Sequence, residues 1–130
     1  MGVPKSIQTF RSAGATLVTA NTGRDGTGTI VTVFTGVAAP GSIVTTVNMA
    51  ALGNTASGFI GFFLYDGATY RFMWFWPVAP VTVSAGPPAV PPWSQVWTGS
   101  LLLPTASWSL RMTTYTGDDF DVVAQGGDYV

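Results

Sequence analysis

Apolar and polar residues alternate along much of the chain with the two-residue period of a β-strand. In the segment SWSLRMTTY (residues 107–115), Trp108, Leu110 and Met112 fall on one face, and polar residues fall on the other. This pattern predicts a strand with one buried and one partly solvated face. Glutamate is absent and threonine occurs eighteen times, a composition that favours strands over helices.

Nine segments have the apolar and β-branched content of strands, and glycine, proline, asparagine and aspartate separate them at short intervals. They predict an all-β fold, a single-domain antiparallel β-sandwich that is jelly-roll-like, over residues 15–130. Residues 1–14 are predicted to form an N-terminal arm. The predicted strands are 15–20, 29–35, 42–49, 58–65, 69–76, 79–84, 97–103, 107–115 and 119–124.

The segment FFLYDGATYRF predicts a hairpin. Asp66-Gly67 supplies the positive φ that a tight turn needs, between two strand-like runs. The runs 58–65 and 69–76 are apolar on both faces, so each is expected to be central in a sheet or covered by a partner.

A proline-rich segment, AGPPAVPPWSQVW (residues 85–97), interrupts the strand pattern. Proline has no backbone N–H to donate to a sheet and fixes φ, so a central strand cannot run through it. The segment is therefore predicted to be a semi-rigid loop with Trp93 and Trp97 at its end.

Charged residues make up 8% of the chain, against about 25% in a typical soluble domain. Few charges and a net charge of −1 favour association, so we expect other subunits to cover much of the surface. The same balance provides no basic field for nucleic acid. No membrane partner is expected either, because the apolar run GFIGFFLY is far shorter than the roughly 20 residues that span a bilayer.

Cysteine and histidine are absent, which excludes a disulfide framework, zinc sites built on these residues and histidine-dependent catalysis. All six acidic residues are aspartates, and no pair of them is favoured as the two carboxylates of a glycosidase. We expect no enzymatic activity and no cofactor.

Two segments could still hold an ion. The loop NTGRDGTGTI (residues 21–30) is glycine-rich, but it lacks the Lys-Ser/Thr of a phosphate-binding loop and runs into a strand rather than a helix. A turn is the favoured interpretation. Asp118, Asp119 and Asp121 could supply oxygen ligands to calcium, although their spacing matches no EF-hand and a solvated turn is favoured.

Aromatic and basic residues are the candidates for contacts. Trp93 and Trp97, beside the proline-rich loop, could be buried by a partner or bind a sugar; exposed, parallel rings would favour the sugar. The candidate subunit-interface residues are Lys5, Phe10, Arg11, Trp74, Trp76, Trp93 and Trp97.

Two arginines, Arg71 and Arg111, are each the only charge in a strongly apolar strand. A buried charge needs a partner, so we predict structural ion pairs. Asp66, Asp121 and Asp128 are the candidate acceptors.

Four segments of the chain resemble small virion proteins of tailed bacteriophages. They are LVTANTGRDGTGTIVTVFTG, FLYDGATYRF, SWSLRMTTY and VVAQGGDY. The resemblance implies a capsid decoration (cement) protein: a β-sandwich, often a homotrimer, bound to the major capsid protein at the capsid surface after synthesis in the bacterial cytoplasm. It implies no catalytic residues. In that role, residues 1–14 are expected to clamp a neighbouring subunit. The alternatives are a carbohydrate- or receptor-binding module and a tail or baseplate subunit.

Overall fold

A computed structural model describes residues 7–21, 23 and 27–129, with only the backbone described at residues 7 and 8. This part of the chain forms strands and loops and no helix. The strands are β1 (Ile7–Leu17), β2 (Val31–Thr35), β3 (Ser42–Ala51), β4 (Gly58–Tyr65), β5 (Tyr70–Val78), β6 (Ser94–Leu103), β7 (Ser109–Thr114) and β8 (Phe120–Tyr129).

The strands form two four-stranded antiparallel sheets. Sheet A has the order β1-β8-β3-β6, and sheet B has the order β2-β7-β4-β5. This distribution of eight consecutive strands between two sheets is that of a jelly roll. The prediction of an all-β, jelly-roll-like sandwich is confirmed.

The core is one apolar layer between the sheets, and strand alternation builds it. On β8, Phe120, Val122 and Ala124 are fully buried, whereas the residues between them are exposed. On β7, Leu110 and Met112 are fully buried, as the alternation predicts. The opposite face of β7 is less solvated than predicted, since Ser109 and Thr113 are also buried.

The first strand begins at Ile7, so the predicted N-terminal arm over residues 1–14 is wrong from that residue onward. β1 pairs with β8 from Ile7↔Tyr129 to Leu17↔Phe120. Its inward-facing side chains at 11, 13 and 15 are an arginine and two alanines, which give only a weak apolar alternation; the alanines pack beside the core, and main-chain pairing to β8 also holds the strand. Lys5 lies outside the described residues.

The strand predicted at 79–84 is also wrong. Only single bridges occur there, between Thr55 and Val81 and between Ser84 and Val90. Pro80, shortly after the end of β5, removes an N–H group that a continuing ladder needs. The proline-rich loop is confirmed up to Trp93, and β6 then begins at Ser94, earlier than predicted.

The hairpin between β4 and β5 is confirmed. Tyr65 pairs with Tyr70, and the loop between them is closed by Asp66, whose Oδ1 accepts the backbone N–H of Ala68 at 3.0 Å and of Thr69 at 2.8 Å. β4 is central in sheet B, as its apolar faces predict, but β5 is an edge strand.

Replacing Gly67 by alanine is expected to destabilise the protein. Gly67 has φ +98°, and an added Cβ would lie 3.2 Å from the Cβ of Ser107. A left-handed conformation costs an L-residue about 1–2 kcal/mol, so Gly67→Ala should lower the free energy of unfolding by about that amount. Chemical denaturation measures this. Gly117→Ala is the matched control, because nothing lies within 4 Å of its added Cβ; equal effects of the two substitutions would contradict the prediction.

Candidate interaction surfaces

The outward side of sheet B is covered by aromatic rings. The register places Phe63 opposite Phe72, and Tyr65 opposite Tyr70, on the side facing away from the core. Core residues such as Phe62 occupy the alternate positions. We call this surface the aromatic face; its rings are Phe59, Phe63, Tyr65, Tyr70, Phe72, Phe75 and Tyr115.

A β-bulge in β5 completes the aromatic face. Phe62 pairs with Trp74 but Phe63 pairs with Phe72, so Met73 is an extra residue in the ladder. Both Phe72 and Phe75 therefore point outward, which a strict two-residue period does not allow. The sequence predicted that both faces of these strands are apolar, but not that Phe72 and Phe75 share one face, because the bulge leaves no mark in the residue pattern.

The rings of the aromatic face contact one another in a continuous row. Phe75 has its centroid 5.6 Å from Phe59, 4.3 Å from Phe72 and 5.5 Å from Tyr115. Phe72 in turn lies 5.7 Å from Phe63. Mutual packing of this kind fixes the orientation of each ring, so the face is preorganised.

Arg111 lies at the tyrosine end of the aromatic face. Its guanidinium stands 4.1 Å from the ring centroid of Tyr65, and its Nη1 donates to the hydroxyl of Tyr70 at 2.8 Å. Its Nε donates to the Oγ of Ser109. The predicted ion pair is wrong for Arg111 within the described residues, since rings and hydroxyls accommodate the charge instead of a carboxylate.

Two phenylalanines of the aromatic face are accessible to solvent. Phe59 is 41% exposed and Phe72 is 45% exposed, whereas Phe63, which pairs with Phe72, is buried. Exposed phenylalanine side chains in contact with the same third ring form an apolar patch rather than scattered surface residues.

The outward side of sheet A is a second weakly charged surface. Phe10, Val96, Leu102 and Val123 are exposed there. Among the described residues of its strands, the one charge that points outward is Asp121. This carboxylate accepts a hydrogen bond from Thr16 Oγ1 at 2.9 Å, and no described arginine pairs with it, so the ion-pair prediction is wrong there too.

Arg11 holds β1 against its neighbours and against sheet B. Its Nε lies 3.0 Å from Oδ1 of Asp128, and its Nη2 donates to the carbonyl oxygen of Thr35 on β2. Ser42 on β3 donates to the same Asp128 oxygen at 2.7 Å, and the guanidinium lies 3.9 Å from the ring centroid of Phe34. Arg11, predicted at a subunit interface, thus forms an ion pair within the chain. Asp128 is in an ion pair, but its partner is Arg11 rather than Arg71 or Arg111, for which it was predicted.

Arg71 forms the other ion pair, with Asp66 at 3.4 Å. Arg71 is exposed, so solvent screens the pair and its contribution to stability is small. The prediction of an ion pair for Arg71 is confirmed.

The tryptophans do not form an exposed row. Trp93 packs edge-on against Phe120, with 5.7 Å between centroids, and Trp97 packs in the same way against Phe62 at 6.1 Å. Trp76 is also packed against the core. Trp74, at the edge of sheet B, is 60% exposed and is therefore the interface candidate among the four that remains accessible.

The two candidate ion sites are loops with their own hydrogen bonds. Asn21 Nδ2 donates to the carbonyl oxygens of Thr27 and Thr29, and its Oδ1 accepts the N–H of Gly23, which fits the turn interpretation. Asp118 Oδ2 accepts the N–H of Ala56 at 2.8 Å. No group of three or more acidic, His or Cys residues that could hold a metal occurs in the described part of the chain.

Comparisons of the chain with protein-family models, with curated proteins and with solved structures found no match. In the described ranges, no helix is long and apolar enough to cross a membrane.

The Arg11–Asp128 pair predicts a specific acid sensitivity. Burial raises the pKa of Asp128, but hydrogen bonds from Ser42 and Arg11 and the charge of Arg11 outweigh it, so the pKa lies below its ordinary value. The folded state then gains stability above pH ~3.9, the ordinary carboxyl value, and loses it as pH falls through the lowered pKa.

Asp128→Asn should lower the free energy of unfolding by about 1–3 kcal/mol at neutral pH, and the difference from the natural chain should shrink below pH ~4. Denaturation across this pH range measures it. The stability of the variant will still depend on pH to some extent, because the backbone N–H groups of Thr69 and Ala68 lower the pKa of Asp66. Asp121→Asn is the control, and a pH-independent effect of Asp128→Asn would refute the assignment.

Proposed function

We propose that this chain is a structural subunit of a bacteriophage virion, a capsid decoration protein that binds the outside of the shell and stabilises it as a trimer. The observation that carries the proposal is the low charge and the exposed apolar side chains of the two outer faces of the sandwich. Among the described strands, each face carries one outward charge, Asp121 or Arg111, and exposes large apolar side chains. Such surfaces favour burial against other protein.

The fold is compatible with this role without selecting it. Jelly rolls occur in viral capsid proteins, in lectins and in cupins, so the fold alone does not choose a function. The proposal of a virion role rests on the sequence segments that resemble phage virion proteins and on the small number of charged residues. A trimer adds multivalent attachment, which strengthens weak individual contacts.

The outward side of sheet A is the surface suited to the shell. It is a four-stranded face of mainly small side chains, with threonine and serine hydroxyls between apolar residues such as Val96 and Val123. Hydroxyl groups among apolar side chains can satisfy polar groups of a partner within the contact.

The structure lacks the exposed, parallel tryptophan rings that would favour the carbohydrate-binding alternative. Trp93 and Trp97 have their rings against core phenylalanines rather than parallel in solvent. A tail or baseplate subunit would use the same uncharged faces, so experiment has to separate that role from a head protein.

Adding the purified protein back to virus particles tests the proposal. Heads that lack the protein should bind it on co-sedimentation and become more resistant to heat, because decoration joins neighbouring shell subunits. Tails isolated from the same phage serve as the comparison. Binding to tails alone would indicate that the protein is a tail subunit, and binding to neither heads nor tails would refute a virion role.

Val123→Lys should weaken attachment to heads at least about tenfold, because it places a charge at the centre of the sheet A face, where burial strips its water. Co-sedimentation at a series of protein concentrations measures the affinity. Ala68→Lys adds the same charge at an exposed turn and is expected to bind normally. Equal binding by both variants would rule out sheet A as the contact.

A further inference from the structure

β6 has backbone groups without strand partners at the edge of sheet A. Among the described strands it is the last in the order β1-β8-β3-β6 and pairs with β3 alone. The N–H of Ala51 on β3 donates to the carbonyl oxygen of Trp93 at 2.8 Å, and hydrogen bonding alternates along the strand, so Gln95 and Trp97 are the residues that bond to β3. The residues whose N–H and C=O groups point away from the sheet are Ser94, Val96 and Thr98.

These outward groups are almost unused in the single chain. Within the described residues they make one hydrogen bond, in which Gln95 Nε2 donates to the carbonyl oxygen of Val96 at 3.3 Å. The side chains of Ser94, Val96 and Thr98 are also exposed, so no loop covers this part of the strand. Unpaired groups of this kind are a template for pairing with another strand.

β6 also lacks the features that protect a sheet edge, which are charge, proline, a bulge or a cover. The run 94–98 (SQVWT) contains no charge and no proline. β5, on the same side of the sandwich, has Arg71, Pro77 and the bulge at Met73. β1 and β2 lie beside each other at the opposite side, where Arg11 bridges them. In the described part of the chain, β6 is therefore the edge best suited to pairing.

The run 94–98 is complementary to a second copy of itself. When two identical strands pair antiparallel about a two-fold axis, the residue on the axis lies opposite its own copy. With Val96 on the axis, Ser94 lies opposite Thr98 of the second copy, and every outward N–H and C=O meets a group of the opposite kind. Moving the axis by one residue places Thr98 opposite Pro92, which has no N–H, or Ser94 opposite the irregularity between Thr98 and Leu101.

We propose that β6 pairs antiparallel with β6 of a second copy of this chain, about a two-fold axis at Val96. The pairing joins the two four-stranded sheets A into one continuous sheet. Val96, which is 51% exposed in the single chain, packs against its own copy, and the hydroxyl residues Ser94 and Thr98 lie opposite each other on both sides of it. The N–H of the second copy's Val96 replaces the side-chain amide of Gln95 at the carbonyl oxygen.

The contact extends beyond the paired strands. A two-fold axis normal to the joined sheet keeps both cores on the same side of it, so sheet B of the second copy lies beside β5 of the first. On that side of the sandwich Trp74 is 60% exposed, whereas Trp76 and Trp97 pack against Phe62. Trp74 thus supplies an aromatic anchor, a residue type that carries much of the binding energy at protein interfaces.

The pairing goes beyond the proposed function and is separate from the proposed trimer. A contact between identical patches joins two copies only, so a trimer requires another surface. On a decorated shell the pairing would link neighbouring trimers, and it places two sheet A faces side by side, which strengthens attachment through multivalency.

Charge exchange at the two-fold axis tests the proposal. Val96→Lys places a lysine opposite its own copy, and Val96→Asp does the same with an aspartate. Each variant should dimerise at least about tenfold more weakly than the natural chain in sedimentation velocity, because like charges face each other. An equal mixture of the two variants should recover the dimer with one copy of each. Val123→Lys, which adds the same charge on the same face but on β8, is the matched control and should dimerise normally.

Two further measurements separate edge pairing from a side-chain effect. Val96→Pro removes an N–H that the β3 ladder does not use, and proline is tolerated at such an edge position, so this variant should keep its thermal unfolding temperature and lose the dimer. Amide hydrogen exchange should show the N–H groups of Ser94, Val96 and Thr98 becoming protected as the concentration of the natural chain rises.

A natural chain that is monomeric at micromolar concentration, normal dimers of Val96→Lys, or a mixture that fails to recover the dimer overturns the inference. An assembly in which these amides stay unprotected overturns it too. The proposed function is tested separately. A monomer that binds heads keeps the decoration role without the pairing, whereas a dimer that binds no virion part keeps the pairing and loses the role.

Discussion

A β-sandwich has one interior layer, and this chain has more apolar side chains than that layer accepts. The two-residue period of a strand gives each inward position an outward neighbour, so apolar residues in excess of the core must face out. With 47% hydrophobic and 8% charged residues, the outward positions cannot all be polar. The aromatic face of sheet B and the weakly charged face of sheet A both follow from this constraint.

Two of the few charged side chains in the described residues join the two sheets. Arg11 and Asp128 join β1, β8 and β3 and reach Thr35 of sheet B, which ties the two sheets together along the edge where β1 lies beside β2. No comparable network joins β5 and β6 at the opposite edge within the described residues. That edge instead exposes Trp74, and the proline-rich loop connects the same two strands.

The sequence was informative wherever side-chain alternation or turn chemistry determines the structure. The hairpin at Asp66-Gly67 and the buried face of β7 are local consequences of such patterns. Residues 7–14 of β1 were missed because their inward side chains are small or charged and pairing with β8 extends the strand beyond the predicted start at residue 15. Apolar residues on both faces of β4 and β5 were predicted, but the shared outward direction of Phe72 and Phe75 was missed because it depends on the bulge at Met73. The inward direction of Trp97 depends on its register with Val47 of β3. Bulges and register are set by tertiary pairing, which a residue pattern does not encode.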